Sequence, residues 1–312
     1  MDLINEKAIE AYVKNFSLRQ MLIIPAILLL LSLSILAYTT YRTGAPVELG
    51  MEFKGGTAII FDSAKTTDQL KTEFQNYPGV EVRQYSGSER KIMEFSPMDQ
   101  SLKDTLVQKV KSESTNPDTV ETRDMGEQFS KSLQSQAVRA IVISFVFMAI
   151  VIFIIYRTFV PSVAVVISAF ADIAFAAAMT DVFGILLSLG TVAALLMLIG
   201  YSVDTDILLT TRLLKRKGDL NTKTKDAMIT GLTMTTTALA ALLAMFIVSS
   251  GIVTSFTRID IIRDISIVLI FGLIADMINT WMTNVGILRW YIGKTQQAET
   301  RIEKPKKKGR KA

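Results

Sequence analysis

VRAIVISFVFMAIVIFIIY, the run Val138–Tyr156, decides how the rest of the chain is read. Beyond Arg139 it carries no charge, and as a helix it is apolar all round, the pattern of a segment buried in protein or lipid. A bilayer core about 30 Å thick takes roughly 20 apolar residues of helix, and this run has that length. Upstream, Met21–Tyr38 contains LIIPAILLLLSLSIL and is too long for a secretory signal, so it reads as a retained anchor. Downstream, Arg157 and Pro161 mark a very short turn, with Pro161 tolerated in the first turn of a helix that runs on to Met179. Ile185–Leu209, Met228–Val248 and Ile265–Leu288 are the remaining runs of spanning length. The chain thus reads as an α-helical membrane protein with six transmembrane helices, the second and third forming a tight hairpin.

Composition agrees with that class. Half of the 312 residues are hydrophobic, and the mean hydropathy is +0.36, more apolar than an ordinary water-soluble domain. There is no cysteine and no histidine. Disulfides, thiolate metal sites and thiol nucleophiles are therefore excluded, and any proton chemistry must use carboxylates. No nucleophile–base constellation, metal cluster or phosphate loop is present, so the reading has no enzyme activity, no catalytic residue, no metal and no cofactor.

The net charge of +5 is distributed unevenly. Arg212, Lys215, Arg216, Lys217, Lys223 and Lys225 crowd the connection between spans four and five, while the connection between three and four carries only Asp181. A basic tail follows, from Lys294 through Arg301 to Lys311. Lysine and arginine mark the cytoplasmic side, and six crossings put both termini there. The expected division is a cytoplasmic N-terminus at 1–20, a first span at 21–41, an extracytoplasmic domain at 42–136, a five-helix bundle at 137–292 and a basic tail at 293–312. The tail reads as a segment that touches anionic lipid headgroups rather than nucleic acid, with a ribosome or RNA contact as the alternative.

The outer segment has its own pattern. A strand at Thr57–Phe61 precedes a helix at Thr67–Tyr77, in which Thr67 can cap and Leu70 and Phe74 recur four apart. Strands at Val80–Gln84 and Lys91–Phe95 flank the Ser86–Ser88 turn, and a helix at Gln100–Glu113 and a strand at Val120–Arg123 follow. The order β-α-β-β-α-β is that of an α+β, ferredoxin-like domain between the first and second spans.

Four acids fall inside spans: Asp172 in the third, Asp204 and Asp206 in the fourth, and Asp276 in the sixth. Each costs about 2.5–3.5 kcal/mol near the middle of a membrane helix, and such residues usually face protein or water and mark ion pathways. The middle of none of the six runs holds lysine or arginine. The acids must therefore be protonated, bonded to hydroxyls and amides, open to a water path, or paired with a charge on another subunit. Ser202, Thr205 and Thr210 surround the fourth span's acids and Asn279 lies near Asp276. Thr230, Thr233, Thr235, Thr236 and Thr237 add hydroxyls from the fifth span. Residues two apart on a helix point roughly 200° apart, so Asp204 and Asp206 serve different faces. Asp204 continues the face of Gly200, where a small residue permits close packing, and is the acid expected to face the bundle. Asp206 is expected nearer the cytoplasmic surface, with solvation as one account of it and bonding across helices as another for all four.

Three stretches resemble a known family. Gly50-Met51-Glu52-Phe53-Lys54-Gly55-Gly56-Thr57 is similar to the signature that opens the extracytoplasmic domain of the SecD/SecF family. Asp124-Met125-Gly126 with Leu133 resembles the lead-in to the second span, with Ser130 where a second glycine is usual. Ile199-Gly200-Tyr201-Ser202-Val203-Asp204-Thr205-Asp206-Ile207-Leu208, closed by Arg212, resembles the family's most characteristic stretch, in the archaeal form of the SecF branch. Physically, Gly55 and Gly56 would let the chain turn sharply into its first strand. The resemblance implies half of a resistance-nodulation-division transporter, partnered by SecD and assisting the Sec translocon, SecY and SecE, in moving exported polypeptide. It implies use of a proton gradient, or in some members a sodium gradient, with Asp204 as the coupling acid and Asp172 and Asp276 as supports. The bacterial form departs from this chain in two places: its aspartate aligns with Thr205, and an arginine stands in its fifth span where threonines stand here. A small-molecule transporter half and a purely structural subunit remain the alternatives.

Overall fold

In the computed structural model, residues 6–84, 89–215, 218–250 and 260–303 are described, and they fall into a helical unit and a mixed unit of Leu49–Arg139 with Leu187–Leu189. The Ser86–Ser88 turn, Arg216, Lys217 and the tail from Lys304 lie outside the described residues. In chain order the elements are α1 (Glu6–Asn15), α2 (Leu18–Thr43), α3 (Met51–Lys54), β1 (Gly56–Asp62), α4 (Thr67–Glu73), β2 (Glu81–Gln84) and β3 (Arg90–Phe95). Then come α5 (Gln100–Glu113), β4 (Glu121–Met125), α6 (Glu127–Tyr156), α7 (Phe159–Val182), α8 (Leu189–Lys215), α9 (Leu220–Ser249), α10 (Asp260–Ile278) and α11 (Val285–Glu303). A π-helical segment, Asn279–Asn284, joins the last two.

Five of these helices, α2 and α6 to α9, are long and apolar enough to cross a membrane. α10 is shorter and carries Arg263, Asp264 and Asp276, so it is less plainly apolar. The helices begin and end by recognisable chemistry. Ser17 caps α2 in a reciprocal box with Gln20, and Gly44 ends it in the left-handed conformation. Asp219 caps α9 by accepting from the Asn221 and Thr222 amides. α7 is the most enclosed span, and it is built from alanines: Ala164, Ala169, Ala174 and Ala178 are all buried. In lipid no hydrophobic force draws helices together, so small side chains that permit close approach carry the packing. The same logic puts Gly272 of α10 against Leu198 and Gly231 of α9 against the indole of Trp281, where an added Cβ would come within 2.3 Å.

The mixed unit is a four-stranded antiparallel sheet in the order β2-β3-β1-β4. Its core is Ile59, Phe61, Leu70, Phe74, Met93, Phe95, Leu106 and Val110, all buried. β1 lies between two neighbours and is buried along almost its whole length, whereas β4 is an edge strand whose exposed Glu121, Arg123 and Asp124 discourage further strand pairing. The helix α4 is capped by Thr66 rather than by Thr67, because Thr66 holds the extended conformation from which its hydroxyl reaches the Gln69 amide. Gly55 (φ 76°) and Gly56 (φ 124°) both have positive φ, and a Cβ on Gly56 would meet the Phe95 carbonyl at 2.0 Å. The turn into β1 therefore requires glycine. Gly50 caps α3 and gives its amide to the Leu187 carbonyl, Phe53 is buried, and the Thr57 hydroxyl donates to Asp124 Oδ1 at 2.7 Å.

Candidate functional site

On α8 the buried positions include Leu198, Ser202, Thr205, Asp206, Leu209, Thr210 and Leu213, a helical stripe turned inward. Asp204 lies outside that stripe and is exposed, as are Gly200 and Tyr201. The facing expected for the two acids is thus reversed. In a membrane bundle the enclosed side is where hydroxyls and carboxylates find partners, so the Ser202–Asp206–Thr210 face turns in and the glycine face turns out. Nothing lies within 4 Å of where a Gly200 Cβ would stand.

Asp172 of α7, Asp206 of α8 and Asp276 of α10 are each fully buried. Asp172 accepts from the Ser202 hydroxyl at 2.5 Å and from Asn279 Nδ2 at 2.7 Å. Asp206 Oδ1 accepts from Asn284 Nδ2 at 2.7 Å and lies 2.8 Å from the Thr280 hydroxyl. Asp276 lies 3.0 Å from the same Thr280 hydroxyl and 3.0 Å, by both its oxygens, from that of Thr205. Thr205 in turn lies 2.9 Å from the Ser202 carbonyl. One polar network therefore joins three helices and the π segment. None of its carboxylates has a lysine or arginine partner among the described ion pairs.

Counting hydrogens shows what this network can do. The Thr205 hydroxyl has one hydrogen for the Ser202 carbonyl and for Asp276; the Thr280 hydroxyl has one for Asp206 and for Asp276. Two hydroxyl hydrogens cannot serve four contacts. A proton on Asp276 supplies a third, and a proton on Asp206 the fourth. The cluster is thus a set of hydrogen bonds whose completeness depends on how many protons the carboxyls carry.

Of the residues singled out in the sequence, Ser202, Thr205, Asn279, Asp172, Asp206 and Asp276 come together here. Asp204 and Thr233 do not. Thr233 is exposed on α9, and its hydroxyl is spent on the Ile229 carbonyl one turn back. Sequence reasoning missed Thr280 and Asn284, although they stand four and eight residues after Asp276 and so on its helical face. It also missed the π segment, which supplies Asn279, Thr280 and Asn284 together; such segments recur at functional sites.

The family model described as "Protein export membrane protein SecD/SecF, C-terminal" matches residues 103–294, which include the whole cluster. A protein-export membrane protein SecF from Methanolacinia petrolearia is 48% identical over 282 residues, covering 90% of this chain and 96% of its own. The SecF of Haloferax volcanii is 37% identical, over 89% of this chain and 93% of its own. Among solved structures, the crystal structure of SecDF, a translocon-associated membrane protein from Thermus thermophilus, has the same fold over 88% of this chain at a TM-score of 0.71 and 18% identity. The chain corresponds to 38% of that longer polypeptide. With a family match across the bundle and end-to-end likeness to archaeal relatives, the chain belongs to the SecD/SecF family of protein-export membrane proteins, among its SecF members.

Proposed function

We propose that this chain is the SecF-type subunit of a SecD–SecF pair that assists Sec-dependent export across the cytoplasmic membrane, driven by an ion gradient acting on its intramembrane aspartates. In this reading the helix α10 with its π segment and α11 makes a sixth crossing, both termini are cytoplasmic, and the mixed unit is a ferredoxin-like domain outside. The carrying observation is the buried cluster of Asp172, Asp206 and Asp276, bridged by the Thr205 and Thr280 hydroxyls, whose hydrogen bonds cannot all form without added protons. A charge moved across 100 mV releases about 2.3 kcal/mol, enough to shift a two-state equilibrium roughly fiftyfold. Asp204 supports the partnership differently: it sits with Met197, Gly200 and Tyr201 on an exposed stripe of α8, and a carboxylate on such a stripe calls for water or another subunit. SecD is the partner that the relatives' longer SecDF polypeptide suggests, with SecY and SecE beyond it.

The test is accumulation of unexported precursor in cells carrying Asp276→Asn or Asp206→Asn, with membrane levels of this chain and its SecD-like partner followed in parallel. Accumulation at normal levels is the expected result; full export at normal levels would falsify the coupling role. Asp172 favours a second, structural reading for itself alone, because each of its oxygens already has a donor, from Ser202 and from Asn279. Asp172→Asn is accordingly expected to lower the yield of folded protein more than the export per molecule.

A further inference from the structure

The chain passes between the helical and the mixed unit at Glu48–Leu49, inside α6 after Arg139, and on either side of Leu187–Leu189, where Leu189 is the first residue of α8. Within the mixed unit these places are pinned to one short segment. Leu49 pairs with Leu187 in a parallel β-bridge, and the Gly50 amide donates to the Leu187 carbonyl at 2.8 Å. The Leu189 amide donates to Glu52 Oε2 at 2.7 Å. Gln134 of α6 donates through Nε2 to the Phe53 carbonyl at 2.6 Å. The segment is itself well held: the Phe53 and Lys54 amides return to the Gly50 carbonyl, the Gly55 amide returns to the Met51 carbonyl, and the Phe53 ring is buried. Gly55 and Gly56 then turn the chain into β1, an inner strand of the sheet.

A plain turn at this point needs the two glycines but no carboxylate at position 52. Glu52 instead reaches a residue 137 positions along the chain. The first amides of a helix have no partner within it and carry its positive end, so a carboxylate seated there makes a charge-assisted bond. The helix so held is α8, which also bears Thr205 and Asp206. At 1.5 Å per residue, Asp206 stands about 25 Å from that first turn along a single rod. We infer that Glu52 is a positioning residue, whose carboxylate fixes the first turn of α8 to the entry of β1 so that helix and strand move as one piece. The inference rests on the export reading for its purpose: a shift of α8 at the acid cluster reaches the sheet without slack.

Two substitutions cut the same bond from opposite sides. Glu52→Ala removes the acceptor; Leu189→Pro removes the donor, at an exposed side chain and at the helix position that proline suits. In the full chain in detergent, each is expected to speed hydrogen exchange in the first turns of α8 about tenfold, as for one charge-assisted bond, and the double variant no further than either alone. In cells, both are expected to accumulate unexported precursor at normal membrane levels of the chain, while Glu52→Gln, whose amide oxygen still accepts, exports. Leu49→Cys with Leu187→Cys, bridged residues at a spacing that a disulfide spans, is expected to restore export to Glu52→Ala when oxidised and to lose it again on reduction. A loss through misfolding does not follow the redox state in that way. Unchanged exchange, additive effects in the double variant, full export despite raised exchange, or export that merely falls in step with membrane level each overturns the inference. Full export in Asp206→Asn cells beside lost export in Glu52→Ala cells sinks the ion-coupling reading and leaves the joint standing.

Discussion

Thr280 is the residue on which the cluster turns, because its single hydroxyl touches both Asp206 and Asp276. Thr280→Val keeps the shape and removes the bridge, leaving buried acceptor oxygens short of a donor; a loss of about 1–3 kcal/mol is expected. Thr280→Ser restores the hydroxyl and is expected to recover most of it, as read by thermal unfolding of the detergent-solubilised chain. Glycine tells a parallel story on two neighbouring helices. Gly231 has the Trp281 ring where a Cβ would stand, so Gly231→Ala is expected to cost about 1–3 kcal/mol through overpacking. Gly200 has open space, so Gly200→Leu is expected to leave the stability of the single chain unchanged while reducing co-purification with the SecD-like partner. That split would separate packing inside the chain from packing onto another one. The residue scale is also where the sequence misled. A glycine beside an acid suggested a packing face, but the deciding fact was that Ser202 and Thr210 share the side of Asp206 and need enclosed partners, which Gly200 does not.

At the scale of elements, the four-stranded sheet carries a built-in conflict. Glu94 of β3 stands directly opposite Glu81 of β2, and burial pushes its carboxyl above the ordinary glutamate value, against the opposing pull of Arg83. The folded strand therefore keeps a proton at pH values where the unfolded chain has lost it. Stability from this group is fully present below the unfolded value and is lost as pH rises through the folded one. Glu94→Gln is expected to remove that fall, and above the window to relieve roughly 0.2–1 kcal/mol of like-charge opposition. Hydrogen exchange of β1–β3 peptides in the full chain, corrected for intrinsic rates, is the measurement. The π segment is held from outside as well: Tyr12 of α1 donates its hydroxyl to the Trp281 carbonyl at 2.9 Å. Burial pushes the Tyr12 hydroxyl up to about 12, so it stays a donor throughout the physiological range. Tyr12→Phe is expected to speed exchange in α1 about two- to tenfold, for the loss of one hydrogen bond. The strands and helices were legible because their periods differ and their caps are chemical. The π segment was not, since Asn279–Asn284 has no composition that separates a widened turn from an ordinary one.

For the whole molecule, five helices are long and apolar enough to cross a membrane, and the sixth crossing expected at Ile265–Leu288 begins in α10, which carries Arg263, Asp264 and Asp276 and is less plainly apolar. Its acid is held in place by Thr205 of another helix and Thr280 of its own, and that compensation exists only once the chain is folded. The count decides the topology. With six crossings Lys14 and Lys294 lie on the same side of the membrane, and with five they lie on opposite sides. The natural chain has no cysteine, so a single introduced thiol reports its own side without background. Lys14, Ser112 and Lys294 are all exposed and serve as the three positions. Basic residues at Arg212, Lys215, Lys223 and Lys225 favour the cytoplasm for the connection between α8 and α9, and each crossing reverses the side. Ser112→Cys is therefore expected to react with a membrane-impermeant maleimide in intact cells, whereas Lys14→Cys and Lys294→Cys react only after permeabilisation. If Lys294→Cys were labelled from outside while Lys14→Cys was not, α10, the π segment and α11 would not cross. Asp276 would then be carried by a re-entrant helix, and an ion path through it would open on one side of the membrane only.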